Sequence, residues 1–326
     1  MKTFKKNLIT FVIIPVATMV SAQKKDSIPN KVIAFVTDKF PQARDLNIEF
    51  TQVTPYKFSP ELYGNDLPEN KIKSFQQVKA NANVYFIKNR KWLLSASLNY
   101  RFTSINAENN INLFSEENIS KGSFHYHSEA VNVTHFTKLF NKIAIFSATA
   151  SIDGSDQHFE RIRGMVTGSL VLKANAKTKM TLGVAIFADP STPIPALPIF
   201  TYEHKFDNGW VADIILPKKI LVRKDIFSNG RISFGTEMDN TSFYLYPSGK
   251  TYEFRQLEIN SGAIYEHHLG GNFIGTLKTG IRATPASRIF EKNESPRDFI
   301  FDANAKPSFY FNVGISYNPF GKPRVK

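Results

Sequence analysis

Val78–Thr103 reads VKANANVYFIKNRKWLLSASLNYRFT. Val78, Ala80, Ala82, Val84 and Phe86 alternate with Lys79, Asn81, Asn83 and Tyr85, and Lys88-Asn89-Arg90 then turns the chain. Trp92, Leu94, Ala96, Leu98, Tyr100 and Phe102 resume the alternation against Ser95, Ser97, Asn99, Arg101 and Thr103. An apolar side and a polar side repeating every two residues is the pattern of paired β-strands.

Outward from this hairpin the same period returns in Ile162–Leu172, in Met180–Ile186, around Phe273–Arg282 and in Phe309–Asn318. Candidate strands lie near 46–58, 72–87, 91–103, 125–139, 143–153, 161–173, 178–189, 198–206, 210–216, 219–227, 231–246, 251–266, 272–283 and 307–318. That makes fourteen; merging the pair around Pro217 and losing another would make twelve. Many are longer than the 5–6 residues usual in globular proteins and match the roughly 9–11 needed to cross a bilayer at a tilt. Short turns at 88–90, 141–142, 175–177, 207–209 and 269–271 alternate with longer polar loops at 59–71, 104–123, 154–160 and 284–306. Such an alternation, with an even strand number, is expected of an outer-membrane barrel. The predicted fold is all-β: a transmembrane antiparallel up-and-down β-barrel over residues 45–326.

Residues 1–22 have the layout of a cleavable signal peptide: Lys2, Lys5 and Lys6, an apolar run from Leu8 to Val20, and Ser21-Ala22 before Gln23. Residues 23–44 are expected to form a short periplasmic lead-in, with one helical turn at Val32, Ile33 and Phe35. The 326-residue chain has no cysteine, which excludes disulfides, thiolate metal sites and a cysteine nucleophile. Its mean hydropathy of −0.24 argues against multiple membrane helices. The formal charge of +13 becomes +10 once the three signal-peptide lysines are removed. Aromatics make up 13%. Phe86, Trp92, Tyr100, Phe102, Trp210, Tyr252, Tyr265, Tyr317 and Phe320 fall near strand ends, where a lipid–water boundary favours them.

The final strand, Phe309 to Phe320, and the signal ending Ser21-Ala22-Gln23 resemble those of Bacteroidota-type outer-membrane β-barrel proteins. Pro193-Ile194-Pro195 through Tyr202, Gly209-Trp210 and Leu216-Pro217 are similar to an uncharacterised porin-like family among them. The resemblance implies the barrel, the outer membrane and recognition by the barrel-assembly machinery, and brings no assigned substrate. The chain departs from it in continuing from Gly321 to Lys326 instead of ending on an aromatic.

Alternation points Lys79, Arg101, Arg161, Arg163, Lys173, Lys179, Arg231, Lys278 and Arg282 into the lumen, and with them the fewer acids Glu49, Asp189, Asp213, Glu237 and Glu258. A charge facing lipid at mid-depth costs about 2–4 kcal/mol, which favours the inward side. An excess of lumen cations would attract anions. Equally, these groups would be neutralised by acids or by lipopolysaccharide phosphates. His125, His127 and Glu129 share one strand face and read as lumen or loop-base lining. Asp153, Ser155, Asp156 and His158 form the best local group for a hydrolase. Pro190, Pro193, Pro195 and Pro198 stiffen a loop that either folds inward or stays on the surface. No motif calls for a metal, a cofactor or nucleic acid. The expected function is a non-enzymatic, porin-like channel for small polar or anionic solutes. A structural or surface-binding barrel with a plugged lumen, and a membrane-embedded hydrolase, are the alternatives.

Overall fold

The computed structural model describes residues 28–109, 112–114, 117–118 and 121–320. The expected signal peptide and the stretch from Gly321 to Lys326 lie outside these residues. Fourteen antiparallel strands close into a barrel. They are β1 (Leu46–Val53, continuing as Tyr56–Leu62), β2 (Asn70–Lys88), β3 (Trp92–Ala107), β4 (Lys121–Leu139), β5 (Lys142–Gly154), β6 (Phe159–Ala174) and β7 (Thr178–Ala188). After them come β8 (Ala196–Lys205), β9 (Trp210–Leu216), β10 (Lys219–Ile226), β11 (Gly230–Leu245), β12 (Tyr252–Gly270), β13 (Phe273–Glu291) and β14 (Phe299–Tyr317). Closure is made by β1: Leu46 pairs with Tyr317 of β14 on one side and with Ala82 of β2 on the other. Each strand thus finds two partners and the sheet has no free long edge.

The alternation sorts the two faces. Leu182, Ile281 and Phe311 point outward and stay about half exposed, at 51%, 48% and 48%. Their neighbours Asn312 and Arg282 are buried inside. At the short-turn end Phe86, Trp92, Phe140, Phe206, Phe227 and Phe273 stand exposed around the outside. Tyr252 and Phe320 do not join this outer set. Tyr252 packs in an interior apolar cluster, and the Phe320 ring meets Tyr85 edge-on beneath the barrel.

Strands run further than the sequence indicates. β13 and β14 extend through most of 284–306, so that expected loop is a long hairpin. On the opposite wall β8, β9 and β10 are only 10, 7 and 8 residues long, against 19 in β2, β4, β12, β13 and β14. β9 and β10 are separate strands joined at Pro217-Lys218, where the Leu216–Pro217 peptide is cis. β10 packs closely on Gly235 of β11, which has φ of 146°. A Cβ there would lie 2.1 Å from the Ile220 carbonyl oxygen, so only glycine fits.

Pairing of β11 with β10 ends at Glu237, opposite Lys219. Beyond it, Thr241–Leu245 is buried on both faces. The upper β11–β12 hairpin leaves the low wall behind and leans across the lumen, stacking Phe243 on Phe124 of β4 at 4.0 Å between ring centroids.

Candidate functional site

The lumen is filled at three levels, and the first comes from the N-terminal segment. Helix α1 (Ile28–Lys39) and a short 3-10 turn (Pro41–Ala43) lie inside the short-turn end. The sequence suggests a single turn here outside the barrel; the helix has twelve residues, and its charged end is bonded to the wall. Asp38 binds Arg231 Nη1 at 2.6 Å and Arg223 Nη1 at 2.8 Å. Lys39 pairs with Glu203 and with Asp213, the latter at 2.9 Å, and its carbonyl accepts from Lys219 Nζ at 2.7 Å. Arg44, wholly buried, donates to Glu266 at 2.6 Å and to Ser316 Oγ at 2.7 Å. Ile33 packs with Leu93 and Phe136. The adjacent arginines hold the Asp38 carboxyl well below the usual range against the opposing effect of burial. Burial pushes the Lys39 ammonium down, although its two carboxylates oppose this.

Above the helix lies a cavity of about 310 Å³, floored by Phe40–Gln42 and walled by polar side chains of β1–β4 and β10–β14. Lys79 reaches across it to Asp239. Arg101 Nη1 donates to the Asn240 carbonyl at 2.6 Å, Lys278 pairs with Glu237 at 3.0 Å, and Arg282 pairs with Glu258 at 3.2 Å.

The third level lies at the long-loop end. Gln77 donates across the lumen to Thr241 Oγ1 at 3.0 Å. Phe58, Phe75, Phe243, Phe254 and Phe301 form an apolar cluster on one side. On the other side Arg161 and Arg163 meet Glu253, Asp189 and Asp153. Tyr126 and Tyr244 both donate to Asp153, at 2.9 and 2.7 Å. Arg161 also binds Ser191, and Arg255 Nη1 donates to the Ser191 carbonyl at 2.8 Å. The proline-rich loop is therefore pinned inward at Asp189 and Ser191, while Pro190, Pro193 and Pro195 stay exposed.

Of the nine cations the sequence assigns inward, Lys79, Arg101, Arg161, Arg163, Arg231, Lys278 and Arg282 line these levels. Lys179 faces α1, its ammonium 5.3 Å from the Phe35 ring centroid and 2.8 Å from Glu203. Lys173 is a correction. A register shift between Val171 and Lys173 sets it opposite Met180, on the side of exposed Leu182, so it points outward at the turn end. More acids face the lumen than alternation indicates: Asp38, Asp153, Glu203, Asp239, Glu253 and Glu266 also pair there. The field is thus largely neutralised in place.

The histidines are a second correction. His125, His127 and Glu129 pair with Phe102, Tyr100 and Leu98, which puts them on the outer face, not in the lumen. His127 binds Glu129 at 3.1 Å and the Ser155 carbonyl at 2.9 Å. Among the described residues no three His, Asp or Glu side chains are grouped to hold a metal ion. Ser155 Oγ is engaged by Tyr246 at 2.5 Å and by the Gln157 amide, while the His158 ring lies edge-on to Tyr246. Asp153, Ser155 and His158 are thus placed in structural contacts, and Ser155 Oγ meets the His158 backbone amide instead of its ring.

A family model described as a domain of unknown function, DUF6268, matches residues 42–318. The chain belongs to this family. No curated protein matches its sequence. Among solved structures it is similar to the COG4313 outer membrane channel from Pseudomonas putida F1, at 7% identity and a TM-score of 0.36, covering 84% of this chain and 95% of that one. It is also similar to a Pseudomonas aeruginosa FadL homologue, at 7% identity and a TM-score of 0.29, covering 87% and 94%. A third is the outer membrane protease OmpT from Escherichia coli, at 10% identity and a TM-score of 0.26, covering 83% and 96%. These likenesses are loose, and the channel and protease activities belong to those proteins. The barrel assignment here stands on its own strand pairing.

Proposed function

We propose that the protein is an outer-membrane channel for small polar solutes that rests closed, with α1 as its plug. The outward band of half-exposed apolar side chains with aromatics at its border supports the membrane location, since such a surface is stable against lipid and not against water. On this reading its surroundings are outer-membrane lipids and lipopolysaccharide, and it is inserted by the barrel-assembly machinery. Its lumen side chains serve passage and not catalysis.

One observation carries the closed state: the segment from Asp38 to Arg44 is bonded to β8, β10, β11, β12 and β14 through side chains that would otherwise face an open lumen. Recording from planar bilayers tests this. The native protein is expected to be silent or to open rarely, and a chain lacking residues 23–41 to conduct in steps. Continuous conductance by the native protein would refute the plug. A folded but silent truncated barrel would favour a structural barrel, filled at its upper level by the leaning hairpin.

A further inference from the structure

The cavity between α1 and the third level has a lining that is not self-sufficient. Its volume of about 310 Å³ is at the small end of ligand sites, which suits one small molecule and not a polymer. Six cations line it. Lys79 and Lys218 share Asp239, Lys219 has Asp213 at 3.7 Å, Lys278 has Glu237 and Arg282 has Glu258. Arg101 alone has no ion pair among the described residues. One guanidinium nitrogen goes to the Asn240 carbonyl, and its Nε is buried without a hydrogen-bond partner. Two other lining atoms are orphaned in the same way: Arg282 Nη1, a donor, and Asn312 Oδ1, an acceptor.

Buried polar atoms are almost always satisfied, and three unsatisfied ones around a single cavity specify a complement. An arginine fork fits a carboxylate. A donor and an acceptor together fit a hydroxyl group, which is both. Access lies where the wall is lowest: Lys218, at the β9–β10 turn, lines the cavity while its side chain remains 38% exposed.

We infer that this cavity binds one small hydroxylated carboxylate, its carboxylate on Arg101 and its hydroxyls on Arg282 and Asn312. This deepens the channel reading by naming the class of solute that dwells in it. Titration calorimetry on the full-length protein refolded in detergent tests the idea without any need for conduction, with sodium gluconate, D-glucose and sodium acetate as probes. Gluconate is expected to bind saturably, at least tenfold tighter than either glucose or acetate, and Arg101→Gln to weaken it at least tenfold. Arg101→Lys, which keeps the charge but not the fork, should fall between. Absence of saturable gluconate binding overturns the inference, as does glucose binding as tightly as gluconate or unchanged affinity in Arg101→Gln. If that variant fails to fold, the ranking of probes by the native protein decides alone. Gluconate binding by the full-length protein together with a folded but silent chain lacking residues 23–41 would refute the channel and leave the site standing.

Discussion

Arg44→Ala is the sharpest test of how the lumen is shut. Arg44 makes three side-chain hydrogen bonds: to the Thr37 carbonyl, to Ser316 Oγ and to Glu266 Oε1. The first lies within the plug segment and survives whether or not the plug is seated. The other two tie it to β14 and β12. Hydrogen bonds involving a charged group contribute about 1.5–3 kcal/mol each. Glu266 keeps Arg231 as a partner after the substitution, so no carboxylate is stranded and the lower figures apply. A loss of about 3 kcal/mol in seating the plug corresponds to roughly a hundredfold rise in the unseated fraction, at about 1.4 kcal/mol per tenfold. The assay is open probability in planar bilayers, on protein whose heat-shifted electrophoretic mobility shows a folded barrel. Arg44→Ala should open about two orders of magnitude more often than the native chain. A change of less than about threefold would refute the role given to this residue.

Three further outcomes follow from the packing. Arg161→Ser strips Glu253, which is wholly buried, of one partner while Arg163 and Arg255 remain. It should therefore cost stability, toward the lower end of the 3–5 kcal/mol typical of a broken buried pair, and leave the reversal potential nearly unchanged. Urea unfolding and bilayer recording read the two effects separately. Burial raises the Asp45 carboxyl to about 6, partly offset by Lys88, so its contribution to stability is full below 3.8 and is lost as pH rises through about 6. Asp45→Asn should therefore be more stable than the native chain at pH 7 and equal to it at pH 3.5, by thermal unfolding. Val184→Arg places a charge on the outward face and should cost about 2–4 kcal/mol if that face meets lipid at mid-depth. Refolding into bilayers at graded urea measures it, and a neutral result would argue against a membrane-facing exterior.

Much of the barrel was legible because alternation is a local property. In β11, Arg231, Ser233, Glu237, Asp239, Thr241 and Phe243 share one parity and one face, and Ile232 and Phe234 the other. Asp239 could have been read inward from that parity. Glu253 could not. It pairs with Tyr244, on the face of the hairpin opposite Glu258, and that face is buried against Arg161 and Arg163 only because the upper β11–β12 hairpin leans across the lumen. The bulge that sends Lys173 outward is invisible for another reason: one extra residue between Val171 and Lys173 reverses the side on which Lys173 falls. Composition suggests lumen or loop-base lining for His125, His127 and Glu129; Val131 and Val133, of the same parity, face outward and exclude the lumen, while the bond of His127 to the Ser155 carbonyl fits a loop base.

The sequence by itself determined that the chain pairs as long antiparallel strands and which stretches turn, because period and turn chemistry are written in neighbouring residues. It could not determine what fills the barrel. Asp38 meets Arg231 across 193 positions of sequence and Arg44 meets Ser316 across 272. Which cations are neutralised, and that Arg101 is left without an ion pair among the described residues, depends on closure of the ring, on a hairpin that leans across the lumen and on a wall made low by three short strands. Those features bring distant residues to one level of the lumen, and tertiary structure alone decides such distances.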